Sequence, residues 1–183
     1  RSQRVEAVEQ KLLRLFGGEA AAVVNNNAGA TMLALAALST GKETVVSRGE
    51  LVEIGGSFRM PDVMKMSQAI LKEVGTTNKT RAADYEEAIS EKTAVLMKVH
   101  CSNYQITGFS QATPIADLVE VASRHEHVYV VDDIGSGALY DYSEFGILDE
   151  PLPTESLQAG ADVVLFSGDK LLGGPQCGII VGS

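Results

Sequence analysis

The chain has 183 residues, 45% of them hydrophobic and 21% charged, which is enough for one domain with a substantial core and too few for two ordinary ones. Fifteen Lys and Arg against 24 Asp and Glu leave a net charge of −9, so the chain carries no electrostatic footprint for a phosphate backbone. Its two cysteines, Cys101 and Cys177, lie outside any CxxC pair and exclude a disulfide scaffold or a four-cysteine zinc site.

No apolar run approaches the roughly 20 residues that span a bilayer, and the start RSQRVEAVEQ lacks the order of a secretory signal. A reduced, cytoplasmic setting is expected. A first residue other than Met and an end directly after an apolar run point to a fragment of a longer protein.

Residues 1–16 place Val5, Val8, Leu12 and Leu15 at helical spacing, and Gly17-Gly18 stop the helix. Short apolar runs suited to buried strands follow at 21–25, 44–47, 70–74, 94–99, 128–132, 163–166 and 178–181. Between them the pattern predicts helices at 28–38, 84–90 and 114–125, while the methionines of 60–66 read as helix packing. Strands that are apolar on both faces and alternate with helices define an α/β fold with a mostly parallel sheet covered on both sides. Only residues 167–176 join the last two runs, too few for a parallel crossover, so the final strand is expected to be antiparallel to its predecessor. Pro151 to Pro153 reads as a surface loop.

In such sheets ligands gather at the carboxyl ends of the strands. Residues 25–30, Asn-Asn-Asn-Ala-Gly-Ala, end the first strand and open a small-residue helix, whose amides could hold a phosphate; the plain alternative is an Asn cap. Asp132 and Asp133 end a buried strand before Gly135-Ser136-Gly137, where a carboxylate could hold a protonated ring nitrogen or cap the next helix. A metal is disfavoured, because no second ligand stands at suitable spacing. Lys170 leaves a strand end in the Gly-rich turn Ser-Gly-Asp-Lys-Leu-Leu-Gly-Gly, where desolvation would make it a nucleophilic amine; a solvated loop lysine is the ordinary alternative. Acid, lysine and phosphate cradle together form the layout pyridoxal phosphate needs: Lys170 for the Schiff base, Asp133 for the ring nitrogen.

The strings VNNNAGAT, VVSRGELVEIGGSFRMPDVM, EVGTTNKT, KVHCSNYQITGF, DIGSG and FSGDKLLGGPQCGIIVG resemble the bacterial selenocysteine synthase family, the L-seryl-tRNA(Sec) selenium transferases, essentially from end to end. The resemblance implies the fold-type I, aspartate-aminotransferase-like architecture, with residues 1–183 as the large domain and tRNA-binding N-terminal and C-terminal domains outside it. It implies conversion of seryl-tRNA(Sec) with selenophosphate to selenocysteinyl-tRNA(Sec), through an aminoacrylyl intermediate, by a homo-oligomer built as a ring of dimers. A seven-stranded sheet with one antiparallel strand follows. The charge of −9 then places the chemistry in this domain and the tRNA contacts in parts beyond it.

Carried over by motif, Lys170 is the Schiff-base lysine, Asp133 the ring-nitrogen partner, and Asp169 stands where many relatives of the fold have His. Ser167 and the amides of Ala28 and Gly29 are the implied phosphate contacts, Asn103 and Ser136 the ring-hydroxyl contacts. Thr76 and Thr77 are substrate-side residues, and Arg48 and Arg59 are candidates for an anion or a partner, with structural surface roles as the alternative. Cys101 and Cys177 read as packing thiols, and His100, His125 and His127 as structural. The rival readings are a related pyridoxal-phosphate lyase or cysteine-desulfurase-like enzyme on a small substrate, and a silent α/β domain. Against a nucleotide-binding domain stands the absence of GxGxxG after the first strand.

Overall fold

The computed structural model describes residues 2–54, 58–147 and 150–183. Helix α1 (Gln3–Phe16) is capped by Ser2, which accepts the Val5 amide, and stops at Gly17. Its periodic apolar residues bury only Leu12 and Phe16, and Phe16 packs on Phe166 with ring centroids 4.7 Å apart. Strand β1 (Ala20–Val24) and helix α2 (Asn27–Ser39) follow, then β2 (Glu43–Ser47) and a single 3-10 turn at Arg48–Glu50. A short antiparallel pair, β3 (Glu53–Ile54) and β4 (Phe58–Arg59), leads into α3 (Met60–Met66). The rest alternates: β5 (Ile70–Val74), α4 (Ala82–Ala88), β6 (Thr93–Val99), α5 (Ile115–Ala122), β7 (Tyr129–Gly135), α6 (Pro153–Ala159), β8 (Val163–Ser167) and β9 (Gly178–Gly182).

The seven long strands form one sheet in the order β1-β9-β8-β7-β6-β2-β5. All neighbours are parallel except those of β9, which runs antiparallel to both β8 and β1. The short 167–176 connection therefore does what its length demands. Helices α1, α4 and α5 bury Tyr85, Leu118 and Phe166 on one face, while α2 and α3 bury Leu35, Met60, Met64 and Leu165 on the other. Because successive strand residues point to opposite faces, Val130 and Ile134 serve the first core and Val131 the second. Asp132 and Asp133 are thus sent to opposite sides of β7.

Two segments depart from the sequence reading. Residues 151–153 are not simply a surface loop, since Pro153 opens α6 at its first turn, where a missing amide proton costs the helix nothing. Strand β7 runs to Gly135 instead of ending at 132, because Asp133 is taken into the sheet interior by partners on α2. No helix among the described residues is long and apolar enough to cross a membrane.

Candidate active site

Asp133 is 5% exposed, and its carboxylate is met by side chains of the α2 first turn. Asn27 donates from Nδ2 to Oδ1 at 2.7 Å, and Thr31 donates from Oγ1 to Oδ2 at 2.8 Å. Four residues apart on a helix, the two donors share one face. Small side chains let that face lie close on the sheet: Ala30, Thr31 and Ala34 are all buried. Both donors are neutral, and no cation among the described residues lies within ion-pair distance of Asp133. Burial accordingly pushes the Asp133 pKa up, opposed by Asn27, Thr31 and the field of Lys170.

Lys170 comes to Asp133 from the β8–β9 connection. Its turn is pinned to the end of β7 by the Leu171 amide, which donates to the Ser136 carbonyl at 3.1 Å. Gly135, at φ +77°, lacks the Cβ that would otherwise stand 3.6 Å from Lys170 Nζ. The lysine itself is exposed, as are Asp169 and residues 173–176. The desolvation expected from its sequence surroundings is therefore not found, because the glycines beside it supply no cover.

Ser136 is buried, and its hydroxyl has no hydrogen-bond partner among the described residues. Such an orphan is costly and needs a reason. Ser167 ends β8 in register with Gly178 of β9, and Gly178 lies so close to the start of α2 that a Cβ there would fall 2.1 Å from the Asn26 carbonyl. Ser167 and the α2 N-terminus are thereby brought to one place. The Asn cap is also real: Asn26 Oδ1 takes the Gly29 amide at 2.8 Å, leaving the earlier amides of the turn, Ala28 among them, pointing out of the helix end.

A second polar cluster lies at the ends of β2, β5 and β6. Glu50, 6% exposed, accepts Lys98 Nζ at 3.0 Å and the Val99 amide at 3.0 Å. It lies beside a cavity of about 290 Å³ whose lining includes Thr77, Lys79, Lys98, His100, Cys101 and Tyr104. Thr76 and Thr77 are exposed in the turn after β5, and Thr76 is tied to the Lys79 carbonyl through its amide at 2.8 Å. Arg48 is paired with Glu73 at 2.9 Å and also donates to the Gly75 carbonyl, while Arg59 pairs with Glu53 at 2.7 Å. Burial pushes the Cys101 thiol up, the behaviour of a packing group.

Strand β6 separates the two clusters. His100, at its end, donates its amide to the Asp133 carbonyl at 2.9 Å and also lines the cavity; burial chiefly holds its ring below the usual range. Asn103 is turned away, donating to the Glu53 carbonyl at 2.9 Å. The structure thus brings together Asp133, Ser136, Ser167, Lys170, Asp169 and the Ala28-Gly29 turn, and leaves Thr77 in the lining of the cavity, with Thr76 and Arg48 outside that lining on the adjoining turns. Sequence reasoning missed the side chains of Asn27 and Thr31, although their four-residue spacing after a strand end was a usable signal. It also missed the Glu50–Lys98 pair, which no local pattern announces.

This architecture is that of pyridoxal-phosphate-dependent enzymes. A D-glucosaminate-6-phosphate ammonia-lyase superposes with a TM-score of 0.78 at 25% identity, over 97% of this chain and 47% of that one. A putative O-acetylhomoserine (thiol)-lyase from Campylobacter jejuni, solved with N'-pyridoxyl-lysine-5'-monophosphate, gives 0.69 at 19% identity, over 97% and 40%. Within that class, the family model for L-seryl-tRNA selenium transferase matches residues 1–183. An L-seryl-tRNA(Sec) selenium transferase of Geobacter metallireducens is 59% identical over 182 residues, covering 100% of this chain and 39% of the relative. The chain belongs to the L-seryl-tRNA selenium transferase family and spans about two fifths of the length of the curated relatives it matches.

Proposed function

We propose that residues 1–183 form the pyridoxal-phosphate-binding large domain of an enzyme that converts seryl-tRNA(Sec) to selenocysteinyl-tRNA(Sec) with selenophosphate. The observation that carries the reading is Asp133: a buried carboxylate without a cation of its own, beside the turn that presents a lysine. A protonated pyridine nitrogen supplies the missing charge, and the orphan Ser136 hydroxyl suits the ring hydroxyl. Ser167 and the outward amides of the α2 turn suit the phosphate. The bound cofactor supplies an electron sink for the carbanion at the seryl α-carbon.

The chain's own residues do the rest. Asp133 keeps its proton partner on the ring nitrogen. Lys170 would hold the cofactor covalently, and its amine, when free, is placed to serve as the base for the seryl α-proton. Asp169, exposed beside it, is the second ionisable group at the reacting centre. The seryl hydroxyl leaves as water, and selenium from selenophosphate takes its place as the phosphorus–selenium bond is hydrolysed and phosphate is released. Thr76, Thr77 and Arg48 sit on the substrate side; the exposed Arg48–Glu73 pair is weak enough to open for an anion. Contacts to tRNA belong to domains outside these residues and to a homo-oligomer, in keeping with the charge of −9.

The test is conversion of serine to selenocysteine on tRNA(Sec) by the full-length gene product with pyridoxal phosphate and selenophosphate. Selenium appearing in the aminoacyl group is expected. A product that binds the cofactor yet leaves seryl-tRNA(Sec) untouched overturns the assignment in favour of a lyase on a small substrate.

A further inference from the structure

The Asp133 clamp has an asymmetry that bears on how the ring nitrogen would be held. Asn27 can present only its amide group to a carboxylate, so Nδ2 is fixed on Oδ1 and its own Oδ1 is left buried without a partner. Thr31 is different. Its hydroxyl has one hydrogen and two acceptors within reach, Asp133 Oδ2 at 2.8 Å and the Asn27 carbonyl at 2.9 Å. It can serve only one of them at a time. A charged carboxylate is the stronger acceptor, so an ionised Asp133 draws the hydrogen, and a protonated Asp133 releases it to the helix carbonyl. Thr31 is wholly buried, with no exposed surface, so its hydroxyl has no access to bulk solvent as a third partner.

Resting on the cofactor reading above, we infer that Thr31, with Asn27, is a positioning residue for that cofactor. The Thr31 hydroxyl is a two-position donor that stabilises Asp133 as an anion and thereby keeps a bound pyridine ring protonated. Neither residue reaches the reacting atoms; both act through Asp133. Asn27 sets the orientation of the carboxylate, while Thr31 responds to its charge. The arrangement also explains why a threonine stands at this point of α2. A threonine placed mid-helix bonds back to the carbonyl four residues earlier, and here that back-bond is the resting position for the hydrogen when the carboxylate is neutral.

The experiment uses the full-length gene product and its Thr31→Val, Thr31→Ser and Asn27→Ala variants. It reads the dissociation constant for pyridoxal phosphate and the pH titration of the cofactor's visible absorption band. Thr31→Val preserves shape and removes only the donor. It is expected to weaken cofactor binding about tenfold and to move the band's midpoint upward by half a pH unit or more. The direction follows because a ring that holds its proton less firmly withdraws less electron density from the Lys170 nitrogen. Thr31→Ser is expected to restore both readings to within about threefold and a few tenths of a unit. Asn27→Ala, which removes a half-buried donor from the first turn of α2 and with it the buried unpartnered Oδ1, is expected to weaken binding while moving the midpoint less.

Thr31→Val and Asn27→Ala proteins that bind and titrate like the parent overturn the inference and leave the cofactor reading standing. If Thr31→Val does not fold, Thr31→Ser and Asn27→Ala carry the decision, and parental behaviour of Asn27→Ala together with loss in Thr31→Ser overturns it. A parent protein that gives no visible band with pyridoxal phosphate overturns the cofactor reading itself.

Discussion

Two buried carboxylates sit on opposite sides of strand β6, and they are kept in opposite ways. Glu50 has its own cation, Lys98 at 3.0 Å, and a backbone amide besides. Asp133 has only the neutral donors of Asn27 and Thr31. A paired buried acid is a structural device whose value lies in staying intact. An acid buried with no cation is held at a cost, which Asp132, its carboxylate bonded among the described residues only to the Ser156 hydroxyl, also bears; what distinguishes Asp133 is the Lys170 turn pinned beside it at the end of β7. The difference supports a structural role for the Glu50–Lys98 pair and the proposed chemistry at the β7/β8 end, although both have a lysine and an acid near a strand terminus.

The largest effect that sharpens this contrast is expected from Lys170→Ala. The side chain is exposed, so the fold should be unaffected, within about 0.5 kcal/mol by denaturant unfolding. Selenium transfer by the full-length protein should fall by at least about 10³-fold, with loss of the visible band, since the roles proposed for the residue are covalent anchor and base. The mirror-image variant is Glu50→Gln. It leaves Lys98 without its carboxylate and should destabilise the protein by about 2–4 kcal/mol, tempered by the 22% exposure of the lysine side chain. The position of the cofactor band should not move.

A third test concerns Asp132, the neighbour of Asp133 on the opposite face of β7. Burial lifts its pKa to about 6, against a hydrogen bond from Ser156 at 2.6 Å that lowers it. Unfolded, the same group titrates near 4. Between those values the native state holds a proton that the unfolded chain has lost, so its contribution to stability is present below about pH 4 and is lost as pH rises through 6. The loss is on the order of 2–3 kcal/mol. Asp132→Asn should flatten the stability profile in that window, measured by denaturant unfolding at successive pH values.

The smallest effect is expected at Ser136. Removing an orphan buried hydroxyl should leave the cofactor-free protein unchanged or stabilise it by about 1 kcal/mol. Cofactor binding should weaken about five- to tenfold, the worth of one hydrogen bond. Equal loss in both measurements would make Ser136 an ordinary structural residue.

Much of this was legible before any coordinates. Strand runs set by Val, Ile and Leu fell within a few residues of the observed elements, because a sheet buried on both faces leaves little choice of residue. The antiparallel β9 followed from the length of one loop. Asp133 and Lys170 could be paired from their places after successive strands, since topology puts such ends side by side. What local sequence did not yield was anything decided by long-range contact. The exposure of Lys170 depends on which neighbours cover its turn. The Glu50–Lys98 pair joins two strand ends across the sheet, and the clamp on Asp133 joins a helix to a strand more than 100 residues later. Helix α6 was hidden by reading Pro151 and Pro153 as loop punctuation, when proline is equally at home in a first helical turn.

The central claim is that the chain buries Asp133 without a cation because the cofactor brings one. Asp133→Asn in the full-length protein, compared with Glu50→Gln, tests it most directly through unfolding stability without cofactor and binding of pyridoxal phosphate. A neutral amide can be tolerated, since the Thr31 hydroxyl has the Asn27 carbonyl to turn to. The predicted result is a cofactor-free protein as stable as the parent or more so, with cofactor binding weakened by about 100-fold or more. A protein destabilised like Glu50→Gln that still binds pyridoxal phosphate as tightly as the parent would contradict the account.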